Sequence, residues 1–234
     1  MEEVLLRIPG GEPAVYLERP NRFLLVARRP SGEKVKVHVP DPGRLLELLY
    51  PGNEILILPA SSSVRKTRWS LLGASSASGW VLVNTFYHRK IATEIFNSHL
   101  SPLGPLDRLQ AEVKSPLGGS RFDFLANENI WIEVKGCTLL RNGAAMFPDA
   151  PTSRGRKHVM ELTEMSRRGM SAAIVFLVFV QGARFFTANR ETDPRFASAL
   201  DAAAEEGVMI RCLLLSFDGE QVEYKGTLGV ILNP

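Results

Sequence analysis

Asp123 sits in the segment Arg-Phe-Asp-Phe-Leu, and Glu133 and Lys135 follow in Ile-Glu-Val-Lys. Alternate side chains of a strand share a face, so Glu133 and Lys135 point one way while Ile132 and Val134 point into the core on the other side. A hairpin of residues 121–126 and 130–134 across Asn127-Glu128-Asn129 brings Asp123 toward Glu133. The result is a cluster of two carboxylates and one amine. Two carboxylates can hold Mg²⁺ or Mn²⁺ and leave positions open for water and phosphate. Such an ion polarises a phosphoryl oxygen and lowers the pKa of a bound water. A lysine beside it stabilises developing charge or orients the nucleophile. Hydrolysis of a phosphodiester needs this set. The competing reading of Glu-x-Lys is a solvated cross-strand ion pair.

Other residues fit the same chemistry. Glu112, in Ala-Glu-Val-Lys, shares a face with Lys114 if that segment is a strand, and an adjacent strand can carry it toward Asp123. The segment Pro151 to His158 offers Arg154, Arg156, Lys157 and His158 near a helix start, where backbone N–H groups and the helix dipole favour a phosphate. Arg154 and Lys157 are the best phosphate contacts there. His158 and Glu161 lie within one helical turn, which suits either a water-positioning histidine or a structural hydrogen bond between them. Asp149 reads as a cap or brace of its loop.

The elements around these residues divide the chain in two. Residues 1–81 read as about five short strands: Glu33 to Val39 alternates, with valines 35, 37 and 39 on one face, and Pro40-Asp41-Pro42-Gly43 breaks that strand. Arg44 to Tyr50 suits a short helix. This pattern suits a small barrel of the OB type. Arg22, Lys36, Arg44, Arg65, Lys66 and Arg68 are candidates to line a nucleic-acid groove on it. Trp69 suits base stacking or, more simply, a core aromatic.

From Thr85 to Leu100 the apolar period becomes helical. Strands follow at 109–114, 121–126 and 130–134, then a Gly/Ala/Pro-rich loop at 142–156. A helix from about Lys157 to Arg168 precedes a buried strand at 171–180. A helix at 196–206 and strands at 208–216 and 222–228 complete the chain. The fold class expected is α+β: an OB-like small β-barrel over 1–81, then an α/β domain with a mixed central sheet over 82–234.

Composition excludes several classes. Two cysteines, Cys137 and Cys212, form no disulfide scaffold or zinc site. The start of the chain has no long apolar stretch of the signal-peptide kind, and the longest apolar run, Ala172 to Val180, is too short to span a bilayer. A soluble cytoplasmic protein without a membrane partner is expected. No P-loop or Gly-x-Gly-x-x-Gly run is present. The net charge of +3 is uneven: residues 1–170 carry 23 basic and 17 acidic groups, and residues 171–234 carry 5 and 8. With 20 arginines to 8 lysines, the balance suits a polyanion. A GC-rich genome or a hot habitat would produce the same bias.

The spacing Asp-x₉-Glu-x-Lys, with a helix before it and a helix and buried strand after, resembles the PD-(D/E)xK nuclease superfamily. More specifically, NRFLLVA, HVPDPGRL, LVNT, SRFDFL, WIEVKGCTL and above all FPDAPTSRGRKHVMEL resemble the sugar fermentation stimulation protein family. These segments run from residue 21 to 165. The resemblance implies an N-terminal OB-like domain, a C-terminal PD-(D/E)xK nuclease-like domain and DNA binding. It marks Asp123, Glu133 and Lys135 as the catalytic set, with Asp123 and Glu133 as metal ligands. It also raises Glu94, on the helix before the strands, as a further metal-binding glutamate; a plain surface position fits Glu94 as well. The stretch Phe86 to Arg89 departs from the family pattern, which carries an asparagine near position 89.

The function expected is therefore a DNA-binding protein with metal-dependent nuclease chemistry. A non-catalytic DNA-binding regulator of sugar-utilisation genes is the alternative, and an RNA ligand is a third. A homodimer would suit symmetric cutting of a duplex, though no residue demands one.

Overall fold

The computed structural model describes residues 3–60 and 67–232. Its first seven strands are β1 (Glu3–Arg7), β2 (Glu12–Asn21), β3 (Leu24–Arg28), β4 (Lys34–His38), β5 (Glu54–Pro59), β6 (Trp69–Ser76) and β7 (Gly79–Leu82). Strand β2 pairs with β3 and β5, β3 with β4, β5 with β6, and β4 with β6. Those five strands close a barrel, as the sequence pattern implies. Alternation drives the closure: Val35 and Val37 are buried inside while Lys34 and Lys36 face solvent. Two expectations change. Arg44 to Tyr50 forms one turn rather than a helix, with the N–H groups of Leu48 and Leu49 on the Leu45 carbonyl (3.0 and 2.7 Å). Leu45 has φ 54°, outside the helical region, and Pro51 cannot donate to a second turn. Strand β1 leaves the barrel and pairs with the last strand of the second sheet.

After β7 come a 3-10 turn at Thr85–Tyr87, α1 (His88–Phe96), β8 (Leu109–Lys114), β9 (Arg121–Ala126), β10 (Ile130–Cys137), β11 (Leu139–Arg141) and β12 (Ala144–Phe147). Then follow α2 (Ser153–Arg167), β13 (Ser171–Val178), β14 (Phe185–Ala188), α3 (Pro194–Glu205), β15 (Met209–Phe217) and β16 (Gln221–Val230). The sheet order is β11-β12-β14-β16-β15-β13-β10-β9-β8, with β1 added on β16. Parallel pairs β10–β13 and β13–β15 form its middle, and antiparallel β8–β9–β10 form one flank. Strand β13 lies between two parallel neighbours and is buried from Ala172 to Val178, which is why it reads as a nearly unbroken apolar run.

The region expected as a loop at 142–156 contains β12, and α2 starts at Ser153, four residues before expectation. Asn142 and Gly143 both have positive φ (51° and 79°), the backbone an Asn-Gly hairpin turn requires. Thr152 caps α2 by accepting the Gly155 N–H (3.1 Å). Asp193 accepts two N–H groups, that of Thr152 (2.8 Å) and that of Phe196 at the start of α3 (2.9 Å). One buried carboxylate thus sets the start of both helices. A single apolar core runs through the barrel and the mixed sheet.

Asp193→Ala removes a helix cap and the brace on Thr152, so we expect a loss of about 1–2 kcal/mol. Urea unfolding midpoints measure it. Asp193→Asn keeps one acceptor oxygen but turns its NH₂ toward the other N–H group, so it should recover only part of that loss.

Candidate active site

Strands β9 and β10 pair in the register Ala126↔Ile130, Leu125↔Trp131 and Phe124↔Ile132. Continued by one residue, the register sets Asp123 opposite Glu133. The turn of Asn127 and Glu128, both at positive φ, closes this hairpin as expected from the sequence. At the site the backbone ladder gives way to a side chain: Asp123 Oδ2 accepts the Val134 N–H at 2.8 Å. Glu133 is 4 % exposed, and its Oε1 meets both Lys135 Nζ and His158 Nδ1. The alternation that placed Glu133 and Lys135 on one face therefore holds. His158 is buried on α2, and its partner is Glu133, not Glu161.

The two carboxylates differ in proton affinity. Burial, and then Glu133 nearby, push Asp123 up to about 6. Burial also opposes ionisation of Glu133, but Lys135 and His158 outweigh it and hold its carboxyl below the ordinary value. Glu133 is thus the fixed anion and Asp123 the group that titrates near neutrality. Among the described residues, Asp123 Oδ1 and Glu133 Oε2 make no hydrogen bond. Hard oxygen donors of this kind suit Mg²⁺, Mn²⁺ or Ca²⁺ rather than a softer metal. No group of three or more His, Cys, Asp or Glu side chains fit to hold a metal occurs among the described residues. The protein would supply two carboxylates, and water or substrate the rest.

This cluster lies in a cleft of about 820 Å³ walled by both sheets. Arg22 and Asp41–Gly43 come from the barrel side; Phe86, His88 to Lys90, Arg121 and Pro148 to Arg154 come from the other. Every exposed charged residue of its wall is a cation: Arg22, Arg89, Lys90, Arg121 and Arg154. The carboxylates Asp41, Asp123, Glu133 and Asp149 are all less exposed. Helices α1 and α2 both begin at the cleft, so two positive helix ends add to the field. The barrel wall is tied down by Arg19, which donates to the carbonyls of Arg22 (2.7 Å), Arg44 (2.7 Å) and Asp41 (3.2 Å). From the other side, Asp149 Oδ2 accepts the Leu45 N–H at 2.9 Å. A Cβ on Gly43 would lie 2.5 Å from that oxygen, so the loop needs glycine there. Asp149 is indeed a brace, and it braces one domain against the other. Asp41, buried beside it, is raised to about 6 by burial and then, among other causes, by Asp149.

The remaining candidates separate. Glu112 is exposed and outside the cleft wall; it pairs with Arg89 and, at 3.4 Å, Arg121. Its φ of 54° interrupts the regular alternation of β8. Glu112 thus holds two wall arginines rather than a metal. Glu94 is exposed on α1 and does not reach the cleft wall. Lys157 donates to the Gly119 carbonyl (2.9 Å) and lines a separate groove. His158 is 5 % exposed and committed to Glu133, so it positions that carboxylate rather than contacting a nucleic acid. Arg22 and Arg154 do line the cleft, while Lys36, Arg44 and Arg68 are exposed elsewhere. Arg65 and Lys66 lie outside the described residues. Trp69 is partly buried, with the Arg29 guanidinium 4.6 Å over its ring, so that face is already covered.

Sequence reading passed over Arg89, Lys90, Arg121 and His88. Arg121 was within reach, two residues before Asp123 on a period-two strand. His88 had no signal: its ring stacks on Phe179 (5.4 Å) and occupies the space a side chain on Gly136 would take. Burial, and then Lys135, lower His88 to about 4, so it stays neutral.

Known proteins match along most of the chain. The family model described as the sugar fermentation stimulation protein RE domain matches residues 86–221, and the SfsA N-terminal OB domain matches residues 17–83. A sugar fermentation stimulation protein homolog of Methanococcoides burtonii is 39% identical over 233 residues, covering 96% of this chain and 94% of that protein. Its counterpart in Methanothermobacter thermautotrophicus is 45% identical over 207 residues, covering 87% and 85%. A solved structure of Pyrococcus furiosus SfsA in complex with Ca²⁺ aligns with a TM-score of 0.89 at 30% identity, covering 98% of this chain and 99% of that one.

The titration of Asp123 has a sign that can be measured. Its folded value of about 6 lies above the ordinary 3.8, so the folded chain binds the proton more tightly than the unfolded chain does. Its contribution is present at low pH and is lost as pH rises through about 6. Metal-free Asp123→Asn should therefore be more stable than the parent at pH 8, by on the order of 2–3 kcal/mol. The difference should vanish near pH 4. Denaturant titrations at both pH values decide it; equal stability at pH 8 contradicts the raised value.

Proposed function

The chain belongs to the sugar fermentation stimulation protein family, and from that membership we propose that it is a DNA-binding, metal-dependent nuclease hydrolysing phosphodiester bonds at Asp123, Glu133 and Lys135. The observation that carries this reading is the arrangement of charge in the cleft: cations outermost, a carboxylate pair with a lysine beneath. A polyanion is drawn to the outer arginines, but the carboxylates below would repel its phosphate unless a cation lay between. A merely binding surface gains nothing from that repulsion. The Ca²⁺ of the Pyrococcus furiosus relative supports a divalent ion in this family.

Asp123 and Glu133 would hold Mg²⁺ or Mn²⁺, and the bound ion would polarise a phosphoryl oxygen and acidify a water. The chain's own residues do the rest. Arg22, Arg89 and Arg154 draw in the phosphodiester backbone by charge-assisted hydrogen bonds. The amides at the start of α2 orient a phosphate oxygen. Lys135 places its ammonium at the foot of the cleft, where negative charge develops on the phosphoryl group. His158 fixes the Glu133 carboxylate, so its geometry is set before substrate arrives.

Labelled DNA incubated with Mg²⁺, Mn²⁺ or EDTA tests the reading. We expect metal-dependent cutting that Glu133→Gln reduces by more than about a hundredfold, since even outer partners of metal ligands are worth 10–100-fold. The fold and most DNA affinity should survive that change. Cutting that persists in Glu133→Gln refutes the mechanism, and binding without cutting under every condition favours the regulator. Arg154→Ala should weaken binding and flatten the salt dependence by about 0.7–0.9 in log–log slope, the value of one phosphate contact.

A further inference from the structure

A second groove, of about 420 Å³, runs along α2 and is walled by Leu117 and Gly118 of the β8–β9 loop. Nothing in the mechanism above uses it. Ser153, exposed at the start of α2, lines both this groove and the cleft, so the two meet there. From that junction the charge along the helix is graded. Arg154 lines the cleft, and Arg156 and Lys157 line the groove. Among the described residues neither arginine has a side-chain hydrogen bond or an ion pair. Lys157 gives one donor to the Gly119 carbonyl (2.9 Å), which fixes its ammonium at the groove and leaves two donors. At the other end of α2 the cations are neutralised: Arg167 by Glu206 (2.9 Å) and Arg168 by Glu164 (2.7 Å). Unpaired positive charge therefore gathers at the end of the groove that adjoins the cleft. Met160, 58 % exposed, comes next along it, and Glu161 and Glu164 lie beyond.

We infer that this groove extends the path of a polynucleotide. A strand with one phosphate over Asp123 and Glu133 crosses Ser153 and sets a following phosphate on Arg156 and Lys157, with a sugar or base against Met160. The inference rests on the nucleic-acid reading above and goes beyond it, because it gives the strand a contact outside the cleft and an end. Two adjacent cations without carboxylate partners repel each other, and a polyanion relieves that repulsion. The flexible thioether of Met160 adapts to an apolar edge without selecting one sequence. Past it, Glu161 and Glu164 turn phosphate away and close the track. The groove has about half the volume of the cleft, so it adds about one nucleotide. An acidic peptide lying along α2 would meet those same glutamates, whereas a strand that stops at Met160 does not.

Fluorescence anisotropy in EDTA, where no cutting occurs, tests this with single-stranded DNA of roughly 4 to 16 nucleotides, the range of common single-strand sites. We expect the parent's affinity to rise with length to a plateau. Arg156→Ala should lower that plateau and flatten its salt dependence by about 0.7 in log–log slope, the value of one phosphate on a single strand. Arg156→Glu should lower it further, and the shortest strand should change less than about twofold with either variant. Arg156 has no side-chain partner to lose, so the melting temperature should not move. Arg167→Ala, which removes the same charge outside the groove, should leave the plateau in place. An Arg156→Glu variant that binds long strands as the parent does overturns the inference. So does an equal loss on the shortest and longest strands, which would put Arg156 in the cleft's own contacts. A parent that binds no DNA of any length overturns the nucleic-acid reading and this inference with it. A parent with the expected length dependence that never cuts overturns the nuclease step alone.

Discussion

A carboxylate with 4 % of its surface exposed must be held ionised by its neighbours or take up a proton. Glu133 is held by Lys135, two residues on along the same strand, and by His158 from a different element. The first partner comes from strand periodicity alone. The second requires α2, packed on β13 beside β10, to carry His158 across to Glu133, and much of the surrounding architecture serves that placement. Thr152 caps α2, Gly155 leaves room for the cap, and Asp193 ties Thr152 to the start of α3. Asp123, with no comparable partner, rides higher in pKa. A buried anion beside a carboxylate that titrates near neutrality is a pair that a divalent cation would relieve.

The cleft above this pair exists because two sheets are fixed against each other. Asp149 reaches from the mixed sheet to the Leu45 N–H and against Gly43, while Arg19 ties that loop to the hairpin tip at Arg22. Strand β1 crosses from the barrel side to join β16, and the apolar core continues through both parts. The two walls are therefore joined by hydrogen bonds, a shared strand pairing and a common core rather than by a linker alone. Interdomain contacts and the site share the same residues, so the barrel helps to build the cleft rather than merely accompanying it.

Much of this was readable in the residues. Alternation at Val35 and Val37 and the apolar run of β13 announced the barrel and the central strand. The Asp-x₉-Glu-x-Lys spacing and the Asn127–Asn129 turn announced the hairpin at the site. Sequence could not say which partner a long side chain would choose. Lys157 turned to a carbonyl of the β8–β9 loop, Glu112 to two arginines, and His158 to Glu133 across the fold rather than to Glu161 one helical turn away. Each choice depends on tertiary neighbours that local spacing does not encode. The short strands β11, β12 and β14 were missed because three or four residues carry too little periodicity, though Asn142-Gly143 marked the turn between two of them. His88 was hidden because only the missing side chain of Gly136 makes room for it.

The central claim is that Asp123 and Glu133 together hold a divalent cation at the foot of the cleft. Anomalous diffraction from crystals soaked in Mn²⁺ tests it most directly, because it locates the ion without relying on activity. The account predicts a peak bonded to one oxygen of each carboxylate, absent in Asp123→Asn crystals soaked in parallel. A peak at Asp41 and Asp149 alone, or none at an ordered Asp123–Glu133 pair, would contradict it.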